Sequence, residues 1–68
     1  MAYGNLRAEM ARKKVTIAML SKLLNKHRET VAYKLSKGRF YADEALMIHD
    51  KYFPGQSVNY LFKLDDEE

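Results

Sequence analysis

The chain reads as an all-α domain, a compact bundle of five short helices, on three observations. Apolar residues recur at three- and four-residue spacings, as in Leu6/Met10, Leu20/Leu23/Leu24 and Val31/Leu35. Helix start and stop residues bracket those stretches: Thr16 and Ser57 before two of them, Asn25, Gly38 and Pro54-Gly55 after three. Finally, 68 residues without a cysteine must be held by apolar packing alone, because disulfides and thiolate zinc sites are excluded.

The first helix is predicted from about Asn5 to Lys13, with Asn5 as N-cap and Lys13 and Lys14 opposing the negative end of the helix dipole. Thr16 caps the second, which runs to Leu24 and turns Leu20, Leu23 and Leu24 inward. Asn25 stops it in a left-handed conformation. The third spans His27 or Arg28 to Ser36, and Gly38 ends it. After a loop through Phe40, the fourth covers about Ala42 to Phe53. Asp43 and Glu44 lie in its first turn, and Ala45, Leu46, Ile48, His49 and Tyr52 supply its apolar side. Ser57 caps a last short helix, Val58 to Lys63, with Tyr60, Leu61 and Phe62 expected in the core or at a dimer contact. Residues 1–64 make a single domain, and Asp65-Asp66-Glu67-Glu68 a disordered acidic tail.

Charge is unevenly spread. Residues 1–39 hold ten basic groups against Glu9 and Glu29, a net +8, while residues 40–68 hold two against seven, a net −5. A positive half of that size attracts a polyanion. No stretch approaches the roughly 20 apolar residues that span a bilayer, and the opening MAYGNLRAEM lacks a secretory apolar run. A cytoplasmic protein with no membrane partner is the expectation.

The second and third helices, joined by a tight polar turn, are the sequence form of a helix-turn-helix over about residues 16–36, in which one helix braces and the next enters the major groove of DNA. At 100° per residue, Val31 and Leu35 point to one side of the third helix. Arg28, Ala32, Ser36, Glu29 and Tyr33 share an arc of about 140° on the other. A long cation, a carboxylate, a methyl and a phenol can all address base edges. An ordinary solvated face would also be polar, so it is the contents of the arc that carry the reading.

With those elements placed, the chain resembles the DNA-binding domain of phage Cro and repressor proteins, the lambda-repressor-like fold. The matching pieces are Asn5-Leu6-Arg7, Thr16 through Leu24, Arg28-Glu29-Thr30-Val31 and Lys34-Leu35-Ser36-Lys37-Gly38. Phe40, Asp43-Glu44-Ala45-Leu46, Ile48, Phe53-Pro54 and Ser57 through Phe62 continue the match, so it covers about residues 5–63. It is most like short single-domain versions from phages and prophages. The resemblance implies a two-fold dimer that represses transcription at an operator in the bacterial host's nucleoid. It also implies that helix three reads the major groove while the N-terminus of helix two meets a phosphate. Ile17 stands where the family commonly has a phosphate-clamping Gln, so that contact falls to backbone N–H groups after Thr16. Tyr41 replaces the usual capping Thr of helix four.

The expected base contacts are Arg28, Glu29, Ala32 and Tyr33. Arg28 could bond guanine O6 and N7, or only a phosphate; Glu29 could accept from cytosine N4, or pair within its helix. Ala32 and Tyr33 offer apolar contact to a thymine methyl, or Tyr33 donates to a phosphate instead. Expected phosphate contacts are Thr16, Ile17, Lys26, His27, Ser36, Lys37 and Arg39, with Lys13 and Lys14 as outer members. Tyr52, Phe53, Val58, Tyr60 and Phe62 are expected at the dimer interface, since one small core cannot easily bury them all. The two histidines lie too far apart to hold a metal, and neither Asp43-Glu44 nor any serine has a partner at a catalytic spacing. No enzyme, cofactor, metal or small-molecule substrate is expected. Other readings of the same fold are an autoregulating antitoxin, or a protein-binding adaptor or antirepressor that docks through Ile17, Ala18 and Met19.

Overall fold

A computed structural model describes residues 2–64, and among them five α-helices and no strand. They are α1 (Gly4–Lys13), α2 (Ile17–Leu24), α3 (Arg28–Lys37), α4 (Ala42–Tyr52) and α5 (Val58–Leu61). The acidic tail expected at 65–68 lies outside the described residues. The radius of gyration, 10.9 Å, is that of a close-packed chain of this length. No described helix is long and apolar enough to cross a membrane.

The caps explain most helix boundaries. Thr16 Oγ1 accepts from the Met19 N–H at 3.2 Å, and Ser57 Oγ from the Tyr60 N–H at 3.0 Å, each satisfying one orphan donor of a first turn. Asn25 (φ 55°) and Gly38 (φ 72°) close α2 and α3 in the left-handed region, as their side chains suggest. The left-handed φ is what favours glycine at position 38; a Cβ there would also stand 2.6 Å from Leu64 Cδ2, the end of an exposed side chain that can swing away, and 3.0 Å from Ala2 Cβ. Tyr41 supplies no side-chain cap, but Glu44 Oε1 accepts from the Tyr41 N–H at 2.9 Å and replaces half of what is missing.

Beyond one-residue differences at the ends of α3 (Lys37, not Ser36) and α4 (Tyr52, not Phe53), two ends differ from expectation in how they are built. Asn5 does not cap α1: the helix begins earlier, after Tyr3, which lies in the left-handed region at φ 58°. Asn5 instead donates from Nδ2 to the Tyr60 carbonyl at 2.9 Å and ties α1 to α5. Such a conformation costs a bulky residue about 1–2 kcal/mol, and burial offsets it. Tyr3 is enclosed, its ring 5.6 Å from Phe40 and 5.5 Å from Phe62, and its hydroxyl oxygen accepts from the Phe40 N–H at 3.1 Å. The second difference is α5, which stops at Leu61 rather than Lys63, because Phe62 turns back into this aromatic trio.

The core runs through the whole bundle: Leu6 and Met10 from α1, Val15, Leu20 and Leu24 from α2 and its approach, Val31 and Leu35 from α3, Ile48, Phe53 and Leu61. Each fully enclosed aliphatic or aromatic side chain contributes about 1.5–3 kcal/mol. Backbone packing joins α2 to both α3 and α4, and α5 to both α1 and α4. On α4, Ala45 and Ile48 face inward, but Leu46 is 49% exposed. The expected apolar side of α4 was therefore too wide by one residue, since 100° of rotation separates Leu46 from Ala45.

Candidate nucleic-acid interface

Two enclosed side chains, Val31 (0% exposed) and Leu35 (3%), hold α3 against the bundle. Their positions dictate that Arg28, Glu29 and Tyr33 turn to solvent, and all three are exposed, Tyr33 by 55%. Ala32 is half-buried beside them. The first turn of α3 forms a ridge between two open clefts. One, of about 650 Å³, is lined by Lys22, Lys26, His27 and Arg28; the other, of about 560 Å³, by Thr16, Ile17, Arg28 and Ala32. Arg28 and Glu29 border both.

The turn into α3 is stapled internally. Ser21 Oγ donates to the Lys26 carbonyl, and the Lys26 N–H bonds the Ser21 carbonyl at 3.1 Å. The serine hydroxyl thus fastens the turn rather than bonding back within its own helix. His27 occupies the N-cap position of α3 but makes no side-chain cap, which leaves its ring at the mouth of the larger cleft.

The basic residues divide into two sets. Lys37 and Arg39 are exposed at the C-terminal end of α3, and no described ion pair holds either of them. Lys34 is different. Its Nζ lies 2.8 and 3.0 Å from the two carboxylate oxygens of Glu44 and 4.1 Å from the centre of the Tyr41 ring, with its side chain only 13% exposed. Glu44, 3% exposed, also draws Lys26 Nζ to 4.0 Å. Burial pushes the Glu44 carboxyl up. The Lys34 hydrogen bond, the Tyr41 N–H and the charges of Lys34 and Lys26 outweigh that and hold it below its ordinary value.

Other expected contacts are altered by their surroundings. Ser36 donates its hydroxyl proton to the Tyr33 carbonyl at 3.1 Å, so it has no free proton to offer a phosphate without breaking that bond. Thr16 is exposed, and its oxygen is engaged in the α2 cap. Ile17 and Met19 are half-buried against the core, which leaves Ala18 as the exposed member of the apolar start of α2. Ile17 and Ala18 both line the smaller cleft beside Arg28. Lys13 sits 5.7 Å over the Phe53 ring and Arg12 bonds Glu9 at 2.6 Å, so the end of α1 is partly occupied with its own neighbours.

The proposed dimer contacts fare unevenly. Phe53 is fully enclosed and belongs to the core, because the chain turns inward at the end of α4 before Pro54. Phe62 is half-buried in the trio with Tyr3 and Phe40, which the sequence reading did not foresee. Tyr52 and Val58 are half-buried, and Tyr60 is 37% exposed, its hydroxyl donating to the buried Glu9 carboxylate at 3.0 Å. His49, expected at the core edge, bridges Asp50 (2.8 Å) and the Gln56 carbonyl (2.6 Å). The Asp50 hydrogen bond raises its pKa, burial opposes this, and the Gln56 carbonyl and the Asp50 charge add to the rise.

Lys34, Glu44 and Tyr3 are the residues that reading by periodicity passed over. A Glu at the third position of a helix whose N-cap, Tyr41, has no short side-chain acceptor was the available signal for Glu44. Compared with known protein families, with characterised proteins and with solved structures, the chain matches none.

Proposed function

We propose that this chain is a sequence-specific double-stranded-DNA-binding regulator of transcription. In this reading α2 and α3 act as a helix-turn-helix of the Cro and repressor kind, and α3 lies in the major groove. The observation that carries the reading is the combination on one ridge of outward Arg28, Glu29 and Tyr33 with exposed Lys37 and Arg39 at the C-terminal end of the helix, neither of them ion-paired among the described residues. Arg28 and Glu29, in the first turn, would reach base edges, Arg28 to guanine and Glu29 to cytosine. Ala32 and Tyr33 would meet thymine methyls. His27 at one end and Lys37 and Arg39 at the other would fix the register on the phosphates, which position the protein without reading sequence. The backbone N–H groups that open α2, after Thr16, would take a further phosphate.

A regulator of this kind would occlude a promoter at a two-fold operator, with half-sites about one turn of DNA apart. Pairing there would use the half-exposed edges of Tyr52, Val58 and Tyr60.

Selection from a randomised duplex library, followed by binding measured against salt, tests the proposal. A recovered motif together with a steep decline of log K with log salt is the expected result. Equal binding to every duplex, or no binding in low salt, would remove it.

A further inference from the structure

Glu44 joins segments that backbone packing does not. Among the described residues, α2 is the helix whose backbone packs along α3, and the α3 and α4 backbones do not come together. Lys34, near the C-terminal end of α3, nevertheless reaches the first turn of α4 and meets both oxygens of Glu44. Lys26, two residues before α3 begins, approaches the same carboxylate from the other end. The carboxylate is itself fixed, because Oε1 accepts from the Tyr41 N–H, and the Lys34 ammonium is covered by the Tyr41 ring. One enclosed acid therefore holds α3 near its C-terminal end through Lys34 and draws on Lys26 just ahead of the helix at 4.0 Å.

Val31 and Leu35 seat α3 in the shared core, but apolar contacts are non-directional and by themselves fix the angle of a helix only loosely. An enclosed ion pair to a further element narrows that freedom by distance, since Lys34 Nζ must stay near 3 Å from both Glu44 oxygens for the pair to offset the burial of its charges. We propose that Glu44 is a specificity-determining positioning residue. By clamping Lys34 and drawing in Lys26, it sets the angle at which α3 presents Arg28 and Tyr33 to the duplex. The inference rests on the DNA-binding reading above. It also gives Lys34, a cation on α3 beside Lys37, a role inside the fold.

Glu44→Gln keeps the size and the Tyr41 bond while removing the charge. Its binding is measured on a duplex selected with the unchanged protein and on a scrambled duplex of equal length. The ratio of the two affinities is expected to fall about tenfold, roughly the worth of one correctly seated base contact. Binding to the scrambled duplex should be unchanged or tighter, because two cations are released. An unchanged ratio overturns the proposal, whether both affinities drop together or neither moves. If Glu44→Gln loses its helical circular dichroism, Lys34→Met breaks the same clamp from the α3 side with an apolar chain that still packs on Tyr41, and the same ratio decides. If the unchanged protein prefers no duplex, the DNA reading fails instead. The clamp is then judged by amide exchange: faster exchange at Val31 to Leu35 than at Leu20 to Leu24 in Glu44→Gln upholds it, and equal rates sink it.

Discussion

The α2–α3 region and the α4–α5 region treat their polar and aromatic groups in opposite ways. In the first, Arg28, Glu29, Tyr33, Lys37 and Arg39 face solvent with little to do inside the monomer. In the second, the side chains that look available are spent on the fold itself: Phe53 in the core, Phe62 on Tyr3 and Phe40, Tyr60 on Glu9, His49 on the Gln56 carbonyl. Glu44 belongs to the second region but serves the first. In so small a domain, surface left unsatisfied is more informative than surface that is merely polar, because most side chains must be recruited for stability.

The sharpest way to break this contrast is to truncate one aromatic from each region. Phe53→Ala should destabilise the fold by about 3–5 kcal/mol, enough to unfold much of the population at 25 °C. Tyr33→Ala should leave urea denaturation within about 0.5 kcal/mol of the unchanged protein. Equal losses would mean that Tyr33 has a structural role or that Phe53 is not core.

On the binding side, Arg28→Ala should cost about 1–3 kcal/mol on a preferred duplex and relax the base choice at one operator position. Its thermal midpoint should not move. The same selected motif for mutant and parent would remove Arg28 from base reading.

Gly38→Ala probes the hinge between the regions. Its left-handed φ opposes a Cβ, so a loss of about 1 kcal/mol is expected in thermal unfolding. No change would show that the 38–40 loop relaxes freely.

Two lysines on the same helix sharpen the comparison further. Lys37→Ala should reduce the slope of log K against log salt by about 0.9, the share of one phosphate contact. Lys34→Ala should not reduce it, because that charge is already neutralised by Glu44. Matching slopes for the two variants would erase the distinction.

The smallest effects are those of pH. Glu44 has a folded pKa below its ordinary 4.5, so its contribution to stability is present above pH 4.5 and is lost as pH falls through the folded value. His49 has a folded pKa above its ordinary 6.5, so its contribution is full below pH 6.5 and fades as pH rises through the folded value. Glu44→Gln should therefore flatten the acid limb of the stability profile and His49→Gln the mildly alkaline one. A limb unaffected by its own substitution would detach that residue from it.

Much of the scaffold was legible because it follows from local rules. Thr16 and Ser57 cap where a hydroxyl precedes an apolar repeat, Asn25 and Gly38 turn where small or amide side chains tolerate positive φ, and Val31 and Leu35 define the inner face of α3. The start of α1 was missed because Asn5 has good capping chemistry, and nothing local shows that Tyr3 will accept a left-handed backbone to fill a gap between Phe40 and Phe62. Leu46 and Phe53 were misassigned for a related reason. Hydrophobicity says that a side chain seeks cover, but not whether its own chain or another provides it.

The residue order by itself determined the five helices, their approximate limits and which side of α3 is polar, since these depend on neighbours within one or two turns. Tertiary structure decided which cations are paired among the described residues and which aromatics are consumed. Lys34 and Lys37 are equivalent by charge and by helix, and they part only because Glu44, ten residues beyond Lys34 in sequence, is brought within 3 Å of one of them. The pairing of charges is a matter of distance in space, and a one-dimensional pattern does not contain it.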